Sequence, residues 1–476
     1  MNKNEKAVLP ELTFGKAVIC IVALVAVLFL GFAVIGLDTK TVFTFASLII
    51  GVILVCYGFK LSDIFGWFTD GCKGAMDVIL ILMSVGCVIG TWIVSGVVPT
   101  IIYYGLELLT PSVFMLTGFA LCCIVSFFIG SSYSTLATLG VAFMGIGYGM
   151  GIEPGLTAGM VLSGAMFGDK MSPFSDTTNL APAVSGTNVY KHINSMMYTV
   201  IPAMLITTIL YAVFGMRINT SNAEMGLVSE IMGGLEANFN ITPVLFIIPV
   251  LTVALMLFKL PPVIAMLGSA LAAIIMAFIF QSGYSDYKTI LDAIASGYHC
   301  ETGVADIDRL LNRGGIIAMM DVVAWTLLTL GMGEMLKQSG VINEFLKKLL
   351  AGIKKPRGLV LGTLGFSLVT ACLTASQYLA IMLPGMMMKD SYTKFKVDKK
   401  VLSRTLEDGG TMFSFLIPWD TAGIYTSTVL GVATLAYAPY AFLLLACPLI
   451  AAFYACTGLF IFIENEGGET KTAAKA

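Results

Sequence analysis

The chain has 476 residues, 57% of them hydrophobic and 12% charged, with a mean hydropathy of +0.91. Soluble proteins carry about 25% charged residues, so this density excludes a soluble multidomain enzyme and a disordered chain. A net charge of −2, with no long like-charge block, excludes nucleic acid as a partner, which needs a basic patch.

What remains is an all-α polytopic membrane protein, with room for roughly ten spans of ~20 residues. Lys3, Lys6 and Lys16 precede the first apolar run, 17–36. It is too long for a signal-peptide core and Gly36-Leu37-Asp38 offers no small-residue cleavage site, so it reads as a retained span. Spans follow at 41–59 and 76–98, separated by a short interfacial helix at 60–75. The stretch 112–150 is too long for one span and is interrupted by Ser131-Ser132-Tyr133-Ser134-Thr135. A helix over 155–190 is broken at Gly168-Asp169-Lys170-Met171-Ser172-Pro173, and a span at 196–216 closes the first half, 1–216. A connecting loop, 217–242, leads to a second half, 243–463, with spans at 243–258, 262–281 and 315–336 and an interfacial helix at 285–300. The long stretch 358–388 is interrupted by Thr374-Ala375-Ser376-Gln377-Tyr378. A helix over 402–436 is broken at Ile417-Pro418-Trp419-Asp420, the last span is 439–463, and 464–476 is a tail. Eight of the ten cysteines lie in apolar runs without C-x-x-C spacing, as small buried hydrophobes do.

Positive charge marks the cytoplasmic side of membrane proteins. The clusters Lys347, Lys348, Lys354, Lys355, Arg357 and Lys389, Lys394, Lys396, Lys399, Lys400, Arg404 flank 358–388 on both sides. That stretch therefore enters and returns as a re-entrant hairpin. No Lys or Arg lies in or beside 112–150, which predicts a hairpin opening outward. Lys60, Lys73, Lys191, Lys259 and both termini fall inside, and Arg217, Lys288, Arg309 and Arg313 outside, in a multi-pass protein of the cell membrane.

Met76-Asp77-Val78 recurs as Met320-Asp321-Val322, Ser95-Gly96-Val97 as Ser339-Gly340-Val341, and Asp176-Thr177 as Asp420-Thr421, each at an offset of 244. The same offset places Ser132 with Ser376 and Asp408 with Gly164. The hairpins do not cross, which leaves five crossings per half, and an odd number inverts the second copy. Inverted-topology repeats with two re-entrant hairpins and two broken helices are the signature of secondary transporters. Backbone broken at membrane depth requires a polar, protein-lined centre.

The densest polar run in an apolar setting is 168–179, with Asp169, Asp176, Thr177, Thr178 and Asn179. Carboxylates, hydroxyls and freed carbonyls are the hard oxygen ligands that a small cation takes, and an intramembrane charge is a functional candidate. The alternative reading pairs Asp169 with Lys170. In the second half the cation or proton candidates are Asp408, Asp420 and Thr421, with the alternative that Glu407 and Asp408 pair with Arg404. Asp77 and Asp321 begin spans, where carboxylates favour the positive helix end. Trp92 and Trp325 read as packing residues, and no catalytic arrangement, cofactor or resident metal is expected.

The run GDKMSPFSDTTNLAPAVSGTN (168–188), with IPWD (417–420) and SQYLAIMLPG (376–385), resembles the NhaC-type sodium/proton antiporter family over nearly the whole chain. The resemblance implies the ion-transporter superfamily fold, commonly a homodimer in the lipid bilayer with an elevator-like moving domain. It implies Na⁺ and H⁺ as transported ions, with Na⁺ held through Asp176, Thr177 and Asn179. The hairpin tips, Ser131, Ser132, Ser134, Thr135 and Thr374, Ser376, Gln377, Tyr378, would clamp cation and substrate with Trp419. These tips depart from the Ser-Asn-Thr pattern of many superfamily members, so its carboxylate-substrate binding does not carry over. The expected activity is exchange of Na⁺ for H⁺ by alternating access. The alternative is Na⁺- or H⁺-coupled transport or exchange of a small organic acid or amino acid, since Gln377, Tyr378, Trp419, Tyr425 and Thr426 offer more than a bare cation needs. Enzyme and channel readings lack, respectively, a catalytic dyad and an open filter.

Overall fold

The computed structural model describes residues 10, 12–218, 222–258, 260–300, 308, 311, 312, 314–350, 352, 353, 355–464 and 470–472. Lys3, Lys6, Lys259, Arg309, Arg313, Lys354 and most of the tail 464–476 lie outside them. The described chain is helical apart from a small ribbon in which Phe462–Glu464 pairs antiparallel with Thr470–Thr472.

The first helix, Phe14–Phe29, continues as a π-helical segment, Leu30–Ile35, to left-handed Gly36. Asp38 then caps Thr39–Cys56 by accepting from the Lys40 amide at 2.9 Å. Lys40 reaches Asp321 at 2.8 Å and ties this pair of helices to Ile316–Gln338. Asp321, expected to serve the positive end of its helix, is thus an ion-pair partner. The two interfacial helices form at Leu61–Gly74 and Tyr287–Ser296.

Among the described residues, five helices are long and apolar enough to cross a membrane: Met76–Val94, Val189–Arg217, Pro262–Phe280, Ile316–Gln338 and Pro356–Thr374. Two bent pairs also qualify, Val228–Asn238 with Pro243–Leu257 (94°) and Thr434–Tyr440 with Phe442–Thr457 (63°). The expected spans 243–258 and 439–463 are therefore parts of bent units. Ile201, Leu205 and Ile209, and likewise Leu267, Leu271, Ile275 and Ile279, are exposed at helical spacing on their helices. Continuous apolar stripes of this size face lipid, while Ser195, Thr199 and Thr207 are buried toward the protein. The molecule is an all-α polytopic membrane protein. Trp92 packs in the core, its indole N–H on Ser269 at 2.9 Å.

The sequence reading left two short helices unassigned. Val97–Leu108 and Val341–Leu350 each restart after a left-handed glycine, Gly96 (φ +79°) and Gly340 (φ +83°). From Met76 and Met320 to these glycines the halves keep the offset of 244. Beyond them the elements repeat at 245: Pro111–Ile129 with Pro356–Thr374, and Asp176–Ser185 with Thr421–Leu430. One extra residue before Pro356 accounts for the slip. Ser376 therefore corresponds to Ser131 rather than Ser132: both are N-caps in extended backbone, accepting from the amide three residues on. Asp420 corresponds to Ser175, not Asp176, and Asp408 to Ser163, not Gly164.

Candidate functional site

Both long stretches are helix–break–helix units. In the first, Pro111–Ile129 ends at left-handed Gly130 (φ +75°), and the chain resumes as Ser132–Thr135 and a π-helical turn, Leu136–Gly140. A Cβ on Gly130 would lie 2.8 Å from the Phe174 carbonyl carbon, and one on Gly168 would lie 2.1 Å from the Phe127 nitrogen. Glycine at these two points lets the first hairpin press onto the first broken helix. In the second unit, Pro356–Thr374 turns through Ala375, at φ +51°, into Gln377–Lys394, and the two arms pack on each other.

The first broken helix comprises Pro154–Met171, an extended link, and Asp176–Ser185. Its break leaves orphan carbonyls, and the polar side chains that follow answer them. Thr178 Oγ1 donates to the carbonyls of Asp169 (2.8 Å) and Lys170 (2.9 Å). Asn179 Nδ2 donates to those of Pro173 (2.9 Å) and Ser175 (2.6 Å). Thr178 and Asn179, expected as cation ligands, thus staple the break. The second broken helix runs Lys399–Leu406, a π-helical segment Glu407–Thr411, a short turn, and Thr421–Leu430. Asp420 caps its second arm, accepting from the Ala422 amide at 3.0 Å, and its Oδ2 is buried without a partner.

Each hairpin tip touches both breaks. At the first tip, Ser132 donates to Asp169 Oδ2 at 2.6 Å, and the Tyr133 carbonyl accepts from Tyr425 at 2.7 Å. At the second, the Tyr378 hydroxyl donates to the Asp176 carboxylate, and the Ala375 carbonyl accepts from the Thr421 amide at 3.1 Å. Ser175 donates to Asp169 Oδ1 at 2.6 Å and lies 3.1 Å from Thr177 Oγ1.

A cavity of about 520 Å³ opens at this crossing, lined by Ser131, Tyr133, Asp169, Asp176, Gln377 and Tyr378 with apolar walls. The buried Gln377 Oε1 has no hydrogen-bond partner. A second cavity, about 600 Å³, also reaches Asp176 and Tyr378, and passes Ser376, Thr421 and the acidic residues Asp70, Asp77 and Glu334. Neither is lined by Lys or Arg among the described residues.

Consecutive helical residues point about 100° apart. While Asp169 meets the first tip, Lys170 turns to the second broken helix and pairs with Asp408 at 2.7 Å, both fully buried. Asp408 also accepts from Thr199 at 3.1 Å. Both pairings weighed from sequence are therefore replaced, Asp169 with Lys170 and Asp408 with Arg404. Arg404 donates instead to the Phe460 carbonyl at 3.2 Å.

The structure brings together Asp169, Asp176, Thr177, Ser131, Ser132, Gln377 and Tyr378, with Ser376 and Thr421 on the adjoining cavity. It does not place Asp408, Asp420, Thr374 or Trp419 on either cavity. Ser134 and Thr135 bond back to Ser131, Thr374 to the Thr370 carbonyl, and Trp419 to the Cys372 carbonyl. Sequence reasoning weighed Lys170 and Glu407 only as ion-pair partners, of Asp169 and of Arg404; the signal for more was two adjacent charged pairs, 169–170 and 407–408, each in an apolar run.

A family model described as the Na⁺/H⁺ antiporter family matches residues 2–178 and 164–459. The chain is 37% identical over 404 residues to the Na(+)/H(+) antiporter NhaC of Alkalihalophilus pseudofirmus, covering 85% of this chain and 87% of the relative. It is 36% identical over 418 residues to the Malate-2H(+)/Na(+)-lactate antiporter of Bacillus subtilis, covering 88% of each. It is 34% identical over 395 residues to the Na(+)/H(+) antiporter NhaC of Bacillus subtilis, covering 83% of this chain and 87% of the relative.

Proposed function

This chain belongs to the Na⁺/H⁺ antiporter family, and from that premise we propose how its crossed breaks and hairpin tips carry the exchange. The protein is a secondary active transporter that exchanges Na⁺ for H⁺ across the membrane. The family is one of transporters, not enzymes. Asp169 and Asp176 form the exchange site, with the hydroxyls of Ser132, Ser175, Thr177 and Tyr378 around them. One observation carries this reading: both carboxylates line one cavity without a Lys or Arg, while the neighbouring ammonium, Lys170, is committed to Asp408.

An unpaired charge at membrane depth costs several kcal/mol. The two carboxylates therefore move between sides only with a cation on them, Na⁺ in one direction and H⁺ in the other, which makes the exchange obligatory. Hydroxyl oxygens donate or accept as needed, so the groups that now donate to the carboxylates turn lone pairs to Na⁺ when it enters. The larger cavity is the cytoplasmic approach, drawing cations past Asp70, Asp77 and Glu334. The halves are inverted repeats and the hairpins re-enter without crossing. The termini are cytoplasmic and the protein sits in the cell membrane as a homodimer with an elevator-like moving domain; the basic flanks of both second-hairpin arms support this orientation.

In proteoliposomes holding the purified chain, Asp169→Asn and Asp176→Asn should each abolish ΔpH-driven Na⁺ uptake, and wild-type uptake in either would overturn the site. A second reading, coupled movement of a small organic solute, is favoured by the cavity's size, far larger than an ion, and by the unanswered Gln377 carbonyl. The 36% identity to the malate–lactate antiporter supports it too. With two carboxylates and, among the described residues, no Lys or Arg on the cavity wall, a dicarboxylate has nothing to pair with, so counterflow should reveal any solute as cationic, zwitterionic or uncharged.

A further inference from the structure

We infer that Tyr425, on the second broken helix, is a positioning residue for cation exchange: its hydroxyl and ring hold the first hairpin tip where Ser132 reaches Asp169. The inference rests on the reading of Asp169 and Asp176 as the exchange site. Tyr425 lines neither cavity, so it does not touch the cargo and acts through the tip.

Tyr425 lies in the second arm of its broken helix, Thr421–Leu430, and is fully buried. A buried tyrosine hydroxyl needs a partner, and this one donates to the Tyr133 carbonyl at 2.7 Å. Its ring meets the Tyr133 ring with centroids 4.5 Å apart, and Phe415, just before the same arm, meets Tyr133 at 5.8 Å. Aromatic pairs at such separations attract beyond their buried area. One residue earlier on the tip, Ser132 donates to Asp169 Oδ2 at 2.6 Å. Successive side chains of a helical turn diverge by about 100°. The tip is therefore strung between the two broken helices, Ser132 on the first and Tyr133 on the second.

A tip of this build needs an external hold. It is a four-residue helix, Ser132–Thr135, entered through left-handed Gly130 and left through a π-helical turn, and so short a helix is not stable alone. The hydroxyls of Ser134 and Thr135 bond back to Ser131 within the tip. The register of 245 adds a second argument. Tyr133 corresponds to Tyr378, and each tip's tyrosine leaves its own half for the broken helix of the other: Tyr378 for Asp176, Tyr133 for Tyr425. At the position equivalent to Tyr425 the first broken helix carries Leu180, which has no hydroxyl to give. The second tip thus sets its tyrosine hydroxyl on a carboxylate, while the first sets Ser132 there and anchors through its tyrosine. Hydrogen bonds weaken steeply when misplaced, so a loosened first tip costs Na⁺ a ligand.

The test measures ΔpH-driven ²²Na⁺ uptake in proteoliposomes and the melting midpoint of each purified protein. Tyr425→Phe keeps the ring and removes the hydroxyl; the Leu136 amide still serves the Tyr133 carbonyl, so no acceptor is orphaned. It should raise KM for Na⁺ about fivefold, the worth of one hydrogen bond, with Vmax and melting midpoint near those of wild type. Ser132→Ala should raise KM as well, and the double variant Tyr425→Phe/Ser132→Ala no further than Ser132→Ala alone. A wild-type KM in Tyr425→Phe, KM increases that multiply in the double variant, or a fall in Vmax and melting midpoint with KM unchanged would overturn the inference. Asp169→Asn separates the two claims. Retained uptake there sinks the exchange-site reading itself, whereas an inactive Asp169→Asn beside a wild-type KM in Tyr425→Phe sinks the positioning role alone.

Discussion

Replacing Lys170 by methionine keeps the side chain's volume and removes the ammonium that answers Asp408. Both residues are fully buried, 2.7 Å apart, and among the described residues no second Lys or Arg forms an ion pair with Asp408, Arg404 donating to the Phe460 carbonyl. Breaking a buried pair in this way costs about 3–5 kcal/mol, because one charge is left uncompensated. That is a large share of the roughly 5–15 kcal/mol by which a folded domain exceeds its unfolded state. Asp408→Asn should cost less, about 1–3 kcal/mol, because the amide oxygen can still accept from the Lys170 ammonium. The double variant Lys170→Met/Asp408→Leu should recover most of the loss, since an apolar pair of similar volume substitutes well for a buried ion pair. Chemical unfolding of the purified variants in detergent measures all three, and the double-mutant cycle isolates the coupling. Additive losses would refute the reading of Lys170 and Asp408 as one coupled buried pair.

Other expectations follow from contacts at the crossing. Gly168→Ala places a methyl where the Phe127 nitrogen stands 2.1 Å away; it should destabilise by about 1–3 kcal/mol and impair exchange, read as a lowered melting midpoint and reduced Na⁺ uptake. Thr178→Val removes the hydroxyl that serves two carbonyls of the first break, with a loss of about 1–3 kcal/mol in the same unfolding assay. Ala375→Gly relieves a left-handed alanine at the second tip and should stabilise by about 1 kcal/mol; a destabilised variant would show that the methyl's packing outweighs the backbone strain. Asp321→Asn breaks a half-exposed pair with Lys40 and should shift stability by no more than about 1 kcal/mol, with exchange at the wild-type rate.

Much of the architecture was legible in the sequence, because lipid-facing helices write long apolar runs and helix breaks write short polar ones. The run 168–179 and the tips 131–135 and 374–378 were found as interruptions, and they do converge on one crossing. Two things were not legible. The Lys170–Asp408 pair joins residues far apart in sequence, and no periodicity reports which side of a helix meets a distant partner. The other is register. A single additional residue before Pro356 moves the offset from 244 to 245, and the tripeptide matches at 244 conceal it. The identity of Asp176-Thr177 with Asp420-Thr421 thus suggested equivalent carboxylates. In the folded chain Asp420 is a helix cap, and Asp176 is the first residue of its helix and faces the cavity. Thr178 and Asn179 show a related limit: oxygen-bearing side chains beside a break serve equally well as ligands or as staples, and only geometry separates the two.

The central claim is that Na⁺ and H⁺ compete for the carboxylates Asp169 and Asp176. Its most direct test is proton release: Na⁺ is added to the purified protein in weakly buffered detergent with a pH-sensitive dye. The account predicts that Na⁺ acidifies the wild-type sample in a saturable manner and that neither Asp169→Asn nor Asp176→Asn releases protons. Release of wild-type size from either variant, or Na⁺ binding by the wild type without release, would contradict it.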